Sequence, residues 1–287
     1  MSIKSHGNFK VLSNIRTEQP NHIAETTMTY EFSFDEVNSQ ELKIEIKKFS
    51  FKVNVSSVKL GLAAKVIQEY SQVLFPLLFN VNIDSIELYN HEDVLERIKI
   101  KNEKLRLMPE YFIEGNLDQG GDIDQYSIIE SMKEHFIGLA QKEGTHMAKY
   151  YLPLSFLKMA IFCTQKSKKD TSYEFPWNIS LFDYEVLWKG NKHFDSILNE
   201  ITYNGEVMES KEFSKIVKKM VTGYESALKI KVKQEPIVSS IKHKVEFINK
   251  MGGFDFSETN MQIDIGTFYK HRETIYISAI NKNQDYE

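Results

Sequence analysis

A chain of 287 residues with 41% hydrophobic and 26% charged residues has the make-up of a soluble globular protein, one large domain or two modest ones. Its 36 basic and 40 acidic residues leave a net charge of −4, which excludes the strong basic excess of a nucleic-acid binder. No window approaches the roughly 18 uncharged apolar residues of a membrane-spanning helix. The single Cys163 excludes an intramolecular disulfide framework, and the N-terminus lacks the apolar core of a secretory signal. Together these predict a reducing, cytoplasmic setting.

Residues 1–27 are polar, contain Pro20 and show little periodicity, which predicts a loosely held N-terminal arm. From Met28 the pattern changes: Tyr30, Phe32 and Phe34 alternate with polar residues, as do Leu42, Ile44 and Ile46, the period of a half-buried strand. Phe49, Phe51, Val53 and Val55 continue on odd numbers. The phase therefore flips at Lys47-Lys48, where a bulge or tight bend belongs. The stretch Leu60 to Phe79 follows, with Leu62, Ala63, Val66, Ile67, Tyr70, Val73, Leu74 and Leu77 at helical spacing. It predicts a central core helix that kinks or ends near Val73, because Pro76 lacks an amide and crowds the preceding turn.

Val81 to Tyr89 reads as a short strand, while Asp93 to Lys104 fits helical and strand periods equally. Pro109 to Gly121 reads as loop, and Ile123 to Leu139 as a helix capped by Asp122 or Asp124. A helical run after Gly144 leads into the mostly apolar segment from Tyr151 to Cys163, where the thiol should be buried and protonated. The polar segment from Thr164 to Ser172 has the composition of a linker. Beyond it come a strand at Leu181 to Trp188, an amphipathic helix at Lys211 to Tyr224, alternation at Ala227 to Lys233, and a strand at Ile241 to Phe247. Met261 to Ile265 and Thr274 to Ile280 suggest a closing hairpin. The sum is an α+β fold: antiparallel ribbons packed against several amphipathic helices, with an arm at 1–27 and consecutive units at 28–165 and 172–287, or one domain throughout.

Chemistry-bearing motifs are sparse. Asn116 to Ser127 resembles a calcium-binding EF-hand loop: Asn116, Asp118 and Asp124 stand at the first, third and ninth positions, with Asp122 at the seventh and Gly121 at the sixth. The resemblance implies a hard-cation site, but Ser127 replaces the bidentate glutamate and Gly120 the fifth ligand. A glycine-rich turn whose aspartates cap the next helix accounts better for the segment. Glu143 and His146 have the Glu-x-x-His spacing of a metal site, with Glu134 and His135 one helix earlier, although Gly144 interrupts the helix the motif requires. His243 and His271 stand among lysines and arginine, as solvated strand positions would. No nucleophile elbow, P-loop or dinucleotide fingerprint occurs, so no cofactor is implied.

Tyr150, Tyr151, Phe175 and Trp177 are the places where rings could be partly exposed, and exposed aromatics are contact residues for proteins. The leading expectation is thus a soluble, non-catalytic module that binds another protein as an adaptor, inhibitor or assembly component. A carrier that encloses an apolar ligand within its sheet is the alternative, and a metal-dependent enzyme built on His135, Glu143 and His146 the second alternative.

Overall fold

The computed structural model describes residues 6–19, 22–38, 41–55, 58–82, 85–107, 125–144, 147, 171–179, 184–228, 231, 237–248 and 253–280. These residues form an α+β fold with one antiparallel sheet of eleven strands in the order β5-β4-β3-β2-β1-β11-β10-β9-β8-β7-β6. The strands are β1 (His6–Gln19), β2 (His22–Asn38), β3 (Glu41–Val55), β4 (Leu77–Asn82), β5 (Ile86–Leu88), β6 (Thr171–Ile179), β7 (Tyr184–Asp195), β8 (Glu200–Val207), β9 (Ile237–Ile248), β10 (Gly253–Ile265) and β11 (Tyr269–Ala279). Four helices accompany them among the described residues: α1 (Val58–Val73), α2 (His91–Arg106), α3 (Gln125–Leu139) and α4 (Lys211–Leu228). None of these is long and apolar enough to cross a membrane. The chain divides into two compact units, the first comprising 1–12, 24–152 and 280–287, the second 13–23 and 153–279.

In the first unit the alternation predicted for β2 and β3 is present, with Tyr30, Phe32, Ile44 and Ile46 buried. The phase flip at Lys47-Lys48 is a bulge. Glu31 pairs with Lys48 but Phe32 pairs with Ile46, so Lys47 is the extra residue and β3 runs on without a break.

The polar N-terminal segment is not an arm. Residues 6–19 are β1, with Phe9 and Val11 buried and the Phe9 ring stacked on Phe32 at 5.2 Å. Ser13 and Thr17 occupy the same inward phase. These polar residues at core positions hide the strand from a hydrophobicity pattern.

Helix α1 ends at Val73, as Pro76 requires, but Leu77 to Phe79 are β4 and not a continuation of the helix. Residues 81–89, read as one strand, are divided between the end of β4 and β5. The ambiguous segment resolves as α2: Val94, Ile98, Asn102 and Leu105 are buried, whereas Ile100, which created the strand-like spacing, is exposed. Acids Glu92 and Asp93 open α2 and Lys104 and Arg106 close it, the arrangement that complements a helix dipole.

The joint between α1 and β4 is held by side chains of the next element. Arg97 on α2 donates through Nε to the Val73 carbonyl at 2.8 Å and through Nη2 to the carbonyls of Leu74 at 2.7 Å and Pro76 at 3.0 Å. A guanidinium thus satisfies carbonyls that the helix end leaves open, where its positive charge also suits the dipole. Asn90 donates to Pro76 O at 2.9 Å and accepts from Leu78 N at 3.0 Å. Between the helices the buried Tyr70 hydroxyl donates to Asn102 Oδ1 at 2.6 Å, and Asn102 Nδ2 donates to Glu130 Oε1 at 2.9 Å. Burial, and secondarily the Glu130 charge, push the Tyr70 hydroxyl well above its ordinary pKa and keep it a donor.

In the second unit β6 to β11 form hairpins, with α4 between β8 and β9, and the predicted closing hairpin is β10–β11. Helix α4 continues to Leu228, so the alternation at Ala227 to Lys233 does not begin a strand there. Lys231 is exposed. The loop at Pro109 to Gly121, the apolar segment to Cys163 and most of the linker-like stretch lie outside the described residues.

Two outcomes test this arrangement. Phe9→Ala should cost roughly 3 to 5 kcal/mol in chemical unfolding, whereas a loose arm would give no change. Arg97→Met should cost about 1 to 2 kcal/mol by leaving the part-buried Val73 and Leu74 carbonyls without a protein donor, measured as a lowered urea midpoint at constant m.

Candidate functional site

The metal expectations rest mostly on residues outside the described ones. Asn116, Asp118, Asp122, Asp124 and His146 lie outside the described residues. Ser127 is exposed on α3; His135 is exposed further along the same helix, its ring edge-on to Phe136 at 5.5 Å, and Glu143 is exposed in the turn that follows. Among the described residues no group of three or more His, Cys, Asp or Glu side chains is placed to hold a metal ion. Of the aromatic candidates, Tyr150 and Tyr151 lie outside the described residues. Phe175 and Trp177 belong to β6, paired in register with Trp188 and Val186. Their side chains are not among those described.

His243 and His271 are not solvated. They are 2% and 1% exposed, because the pleat that sends Lys242, Lys244, Lys270 and Arg272 outward sends the histidines inward beside Ile241, Val245 and Tyr269. His243 Nδ1 lies 2.8 Å from Thr259 Oγ1 on the neighbouring strand. His271 Nδ1 lies 3.4 Å from Thr17 Oγ1 of β1, and its Nε2 is 3.6 Å from Glu273 Oε2. The Tyr269 and His271 rings stack at 6.5 Å with planes 7° apart, and burial, then the Glu273 charge, push the Tyr269 hydroxyl above its ordinary range.

These histidines belong to a polar row. Register pairs Lys192 of β7 with Tyr203 of β8, Tyr203 with His243 of β9, and His243 with Thr259 of β10. Antiparallel partners share a face, so the four side chains run side by side across four strands, and all four residues are buried. Lys192 is only 3% exposed. In the adjacent row Gly190 faces Gly205. The strands approach closely here: a Cβ built on Gly190 would stand 2.1 Å from the Asn204 carbonyl oxygen, and one on Gly205 would meet the Tyr203 hydroxyl at 2.8 Å. One row further lie Trp188, fully buried, and Val207. Sequence reasoning missed Lys192 by ending the strand at Trp188. The signal was available: Lys192 falls in phase with Val186, Trp188 and Phe194, a charged residue at a position of the apolar set.

The β7–β8 turn is the second feature of this unit. Asp195 Oδ1 accepts hydrogen bonds from the backbone amides of Ile197 at 2.8 Å and Leu198 at 3.0 Å, and Asn199 has a φ of 53°. The two amides, Leu198 first, hold the Asp195 carboxyl below its ordinary pKa. The turn presents Ile197 at 91% and Leu198 at 65% exposure. In the first unit, a polar cleft of about 340 Å³ lies over the outward positions of β2, β3 and β4, lined by Asp35, Lys43, Glu45, Asn80 and the exposed Tyr89.

No family model and no curated protein matches the chain. Among solved structures, one of lipid–protein interactions in lipovitellin is similar over 96% of this chain at 7% identity and a TM-score of 0.39. The chain spans 25% of the length of that lipovitellin chain. An outer membrane channel from Pseudomonas putida F1 is similar over 98% of this chain and 97% of its own, at 5% identity and a TM-score of 0.26. Likenesses below a TM-score of 0.5 determine neither fold nor function.

The inner row has a pH signature. Burial pushes the His243 pKa down from 6.5 to about 3, so the folded protein keeps this ring neutral while the unfolded chain takes up a proton. The unfolded state therefore binds more protons between these values, and stability falls as pH drops below about 6.5. At pH 5 this group alone should cost roughly 2 kcal/mol. Urea unfolding at pH 7.5 and pH 5 measures the loss, and His243→Gln should remove that part of it.

Proposed function

We propose that the chain is a non-catalytic binding protein that docks on another protein, with Ile197 and Leu198 as the anchor. The observation that carries this reading is the pair of aliphatic side chains held in water on an ordered turn. Exposing a single aliphatic residue is ordinary, but two consecutive ones on a turn pinned by Asp195 form a preorganised apolar knob. Ordering entropy is then already spent before a partner arrives. The single Cys163 supports a reducing, cytoplasmic setting for that partner. Phe175 and Trp177 remain candidate contact residues of the proposed surface.

A second reading, carriage of a small ligand, is favoured by the polar row on the inward face of the second unit. Lys192 at such a position is a recognition group in the pattern of ligand sites, which are mostly apolar with a few placed polar atoms.

The docking reading is tested with a photo-reactive benzoylphenylalanine at position 197 of the full chain, illuminated in its cells of origin. A discrete adduct with one other protein, lost when Leu198→Asp is added, is the expected result. Adducts absent, or unchanged by Leu198→Asp, would remove the anchor. Leu198→Asp should leave the unfolding free energy within about 0.5 kcal/mol of the wild type, as surface substitutions do.

A further inference from the structure

We propose that the cleft over β2, β3 and β4 in the first unit binds a neutral sugar, one pyranose ring stacked on Tyr89 with its hydroxyls on the strand side chains. This goes beyond the docking and carriage readings, both of which rest on residues of the second unit. Register builds the floor of the cleft as two rows. Asp35 of β2 pairs with Lys43 of β3, and Lys43 with Asn80 of β4; two residues along, Ser33 pairs with Glu45, and Glu45 with Leu78. Antiparallel partners share a face, and all six residues line the cleft. Three strands at about 4.8 Å spacing and rows roughly 7 Å apart make a patch of about 10 by 7 Å, the footprint of one pyranose ring with its hydroxyls. The volume, about 340 Å³, falls at the small end of ligand sites.

Tyr89 lines the same cleft beside Leu78. It is 69% exposed, yet its backbone is fixed: Tyr89 N donates to the Leu78 carbonyl at 2.8 Å, and the adjacent Asn90 side chain holds β4 through Leu78 N and Pro76 O. A large ring held in water on a pinned backbone offers a flat apolar face at little ordering cost. The C–H face of a pyranose is the complement of such a ring.

The polar groups select hydroxyls over an ion. Lys43 only donates, the carboxylates of Asp35 and Glu45 only accept, and Asn80 and Ser33 do both. Interleaved at strand spacing, they suit a ligand whose groups each donate and accept, which is the property of a sugar hydroxyl. A cation would meet Lys43 in this patch, and an anion would meet Asp35 and Glu45, both like-charge contacts. An apolar ligand would strip water from five polar side chains and return no hydrogen bonds. Glu45 Oε2 also lies 3.4 Å from Lys47 Nζ, but that pair is solvated and leaves the carboxylate further lone pairs.

The test uses the full chain and the methyl glycosides of glucose, galactose, mannose and N-acetylglucosamine. Butylamine, propionate and cyclohexylmethanol serve as cationic, anionic and apolar probes, and amide chemical shifts report binding. At least one glycoside should move the amides of Ser33, Lys43, Glu45, Asn80 and Tyr89 and bind more tightly than all three control probes. Tyr89→Ala should weaken it by at least about tenfold, the ordinary scale of a lost aromatic anchor, whereas Tyr89→Phe, which keeps the ring, should retain it. Glu45→Ala should weaken it as well. Tyr89 is exposed, so Tyr89→Ala should leave the rest of the spectrum in place; if it does not, Glu45→Ala decides by the same readout. No response to any glycoside, or shifts confined to other residues, would overturn the site. A preference for butylamine or propionate would overturn the neutral ligand, and one for cyclohexylmethanol the recognition of hydroxyls. Unchanged binding in both Tyr89→Ala and Glu45→Ala would overturn the assigned contacts.

Discussion

Within the second unit, the placement of residues 13–19 of β1 beside β11 is the contact on which its strand arrangement depends. Strand order runs outward from this pair in both directions, β1 to β5 on one side and β11 to β6 on the other. Joining β1 to β11 brings together residues such as Thr17 and His271, 254 positions apart, at a loop-closure cost on the order of 5 kcal/mol. Without it, β1 and β11 would each present an open edge. Within the second unit the cost is offset by burial of Tyr269, Ile275 and Ile277 on β11. Surface charge adds little, since the Lys270–Glu18 pair is separated by 3.9 Å and half-exposed.

The pleat then decides what the interior contains. Side chains alternate with a period of two, so once Ile241 and Val245 face inward, His243 must as well. The same holds for Lys192 once Trp188 does. A buried polar residue in such a strand is tolerable when a neighbour completes it, as Thr259 does for His243. Lys192 is 3% exposed, and its Nζ is not one of the buried polar atoms left without a partner. In the first unit the same problem is solved within the chain: Tyr70, Asn102 and Glu130 satisfy one another between three helices, and Arg97 satisfies the end of α1.

How much could be read from the sequence follows from these particulars. The bulge at Lys47 was legible because apolar residues stand on both sides of the phase change. The hairpin of β10 and β11 was legible through Ile263, Ile265, Ile275 and Ile277. Strand β1 was not, because Ser13 and Thr17 occupy inward positions that a hydrophobicity pattern scores as outward. Helix α2 was ambiguous because Ile100, an exposed residue, mimics a strand period beside the buried Ile98. For the candidate site the failure was of another kind. Motif spacing drew attention to Glu143 and His135, which are exposed, while Lys192 and His243 belong to no motif and share a row, with Tyr203 between them, only through the β7–β8 and β8–β9 registers.

Local chemistry determined what one segment can decide alone: the α+β class, the end of α1 before Pro76, the bulge and the amphipathic α4. Each depends on side-chain period or backbone sterics within a few residues. Tertiary structure decided which polar residues share a face, that the first strand lies beside the last, and that Lys192 falls in the inward phase of β7. These depend on strand order and register, which are set by the free energy of the whole sheet and leave no trace in the spacing of any one segment.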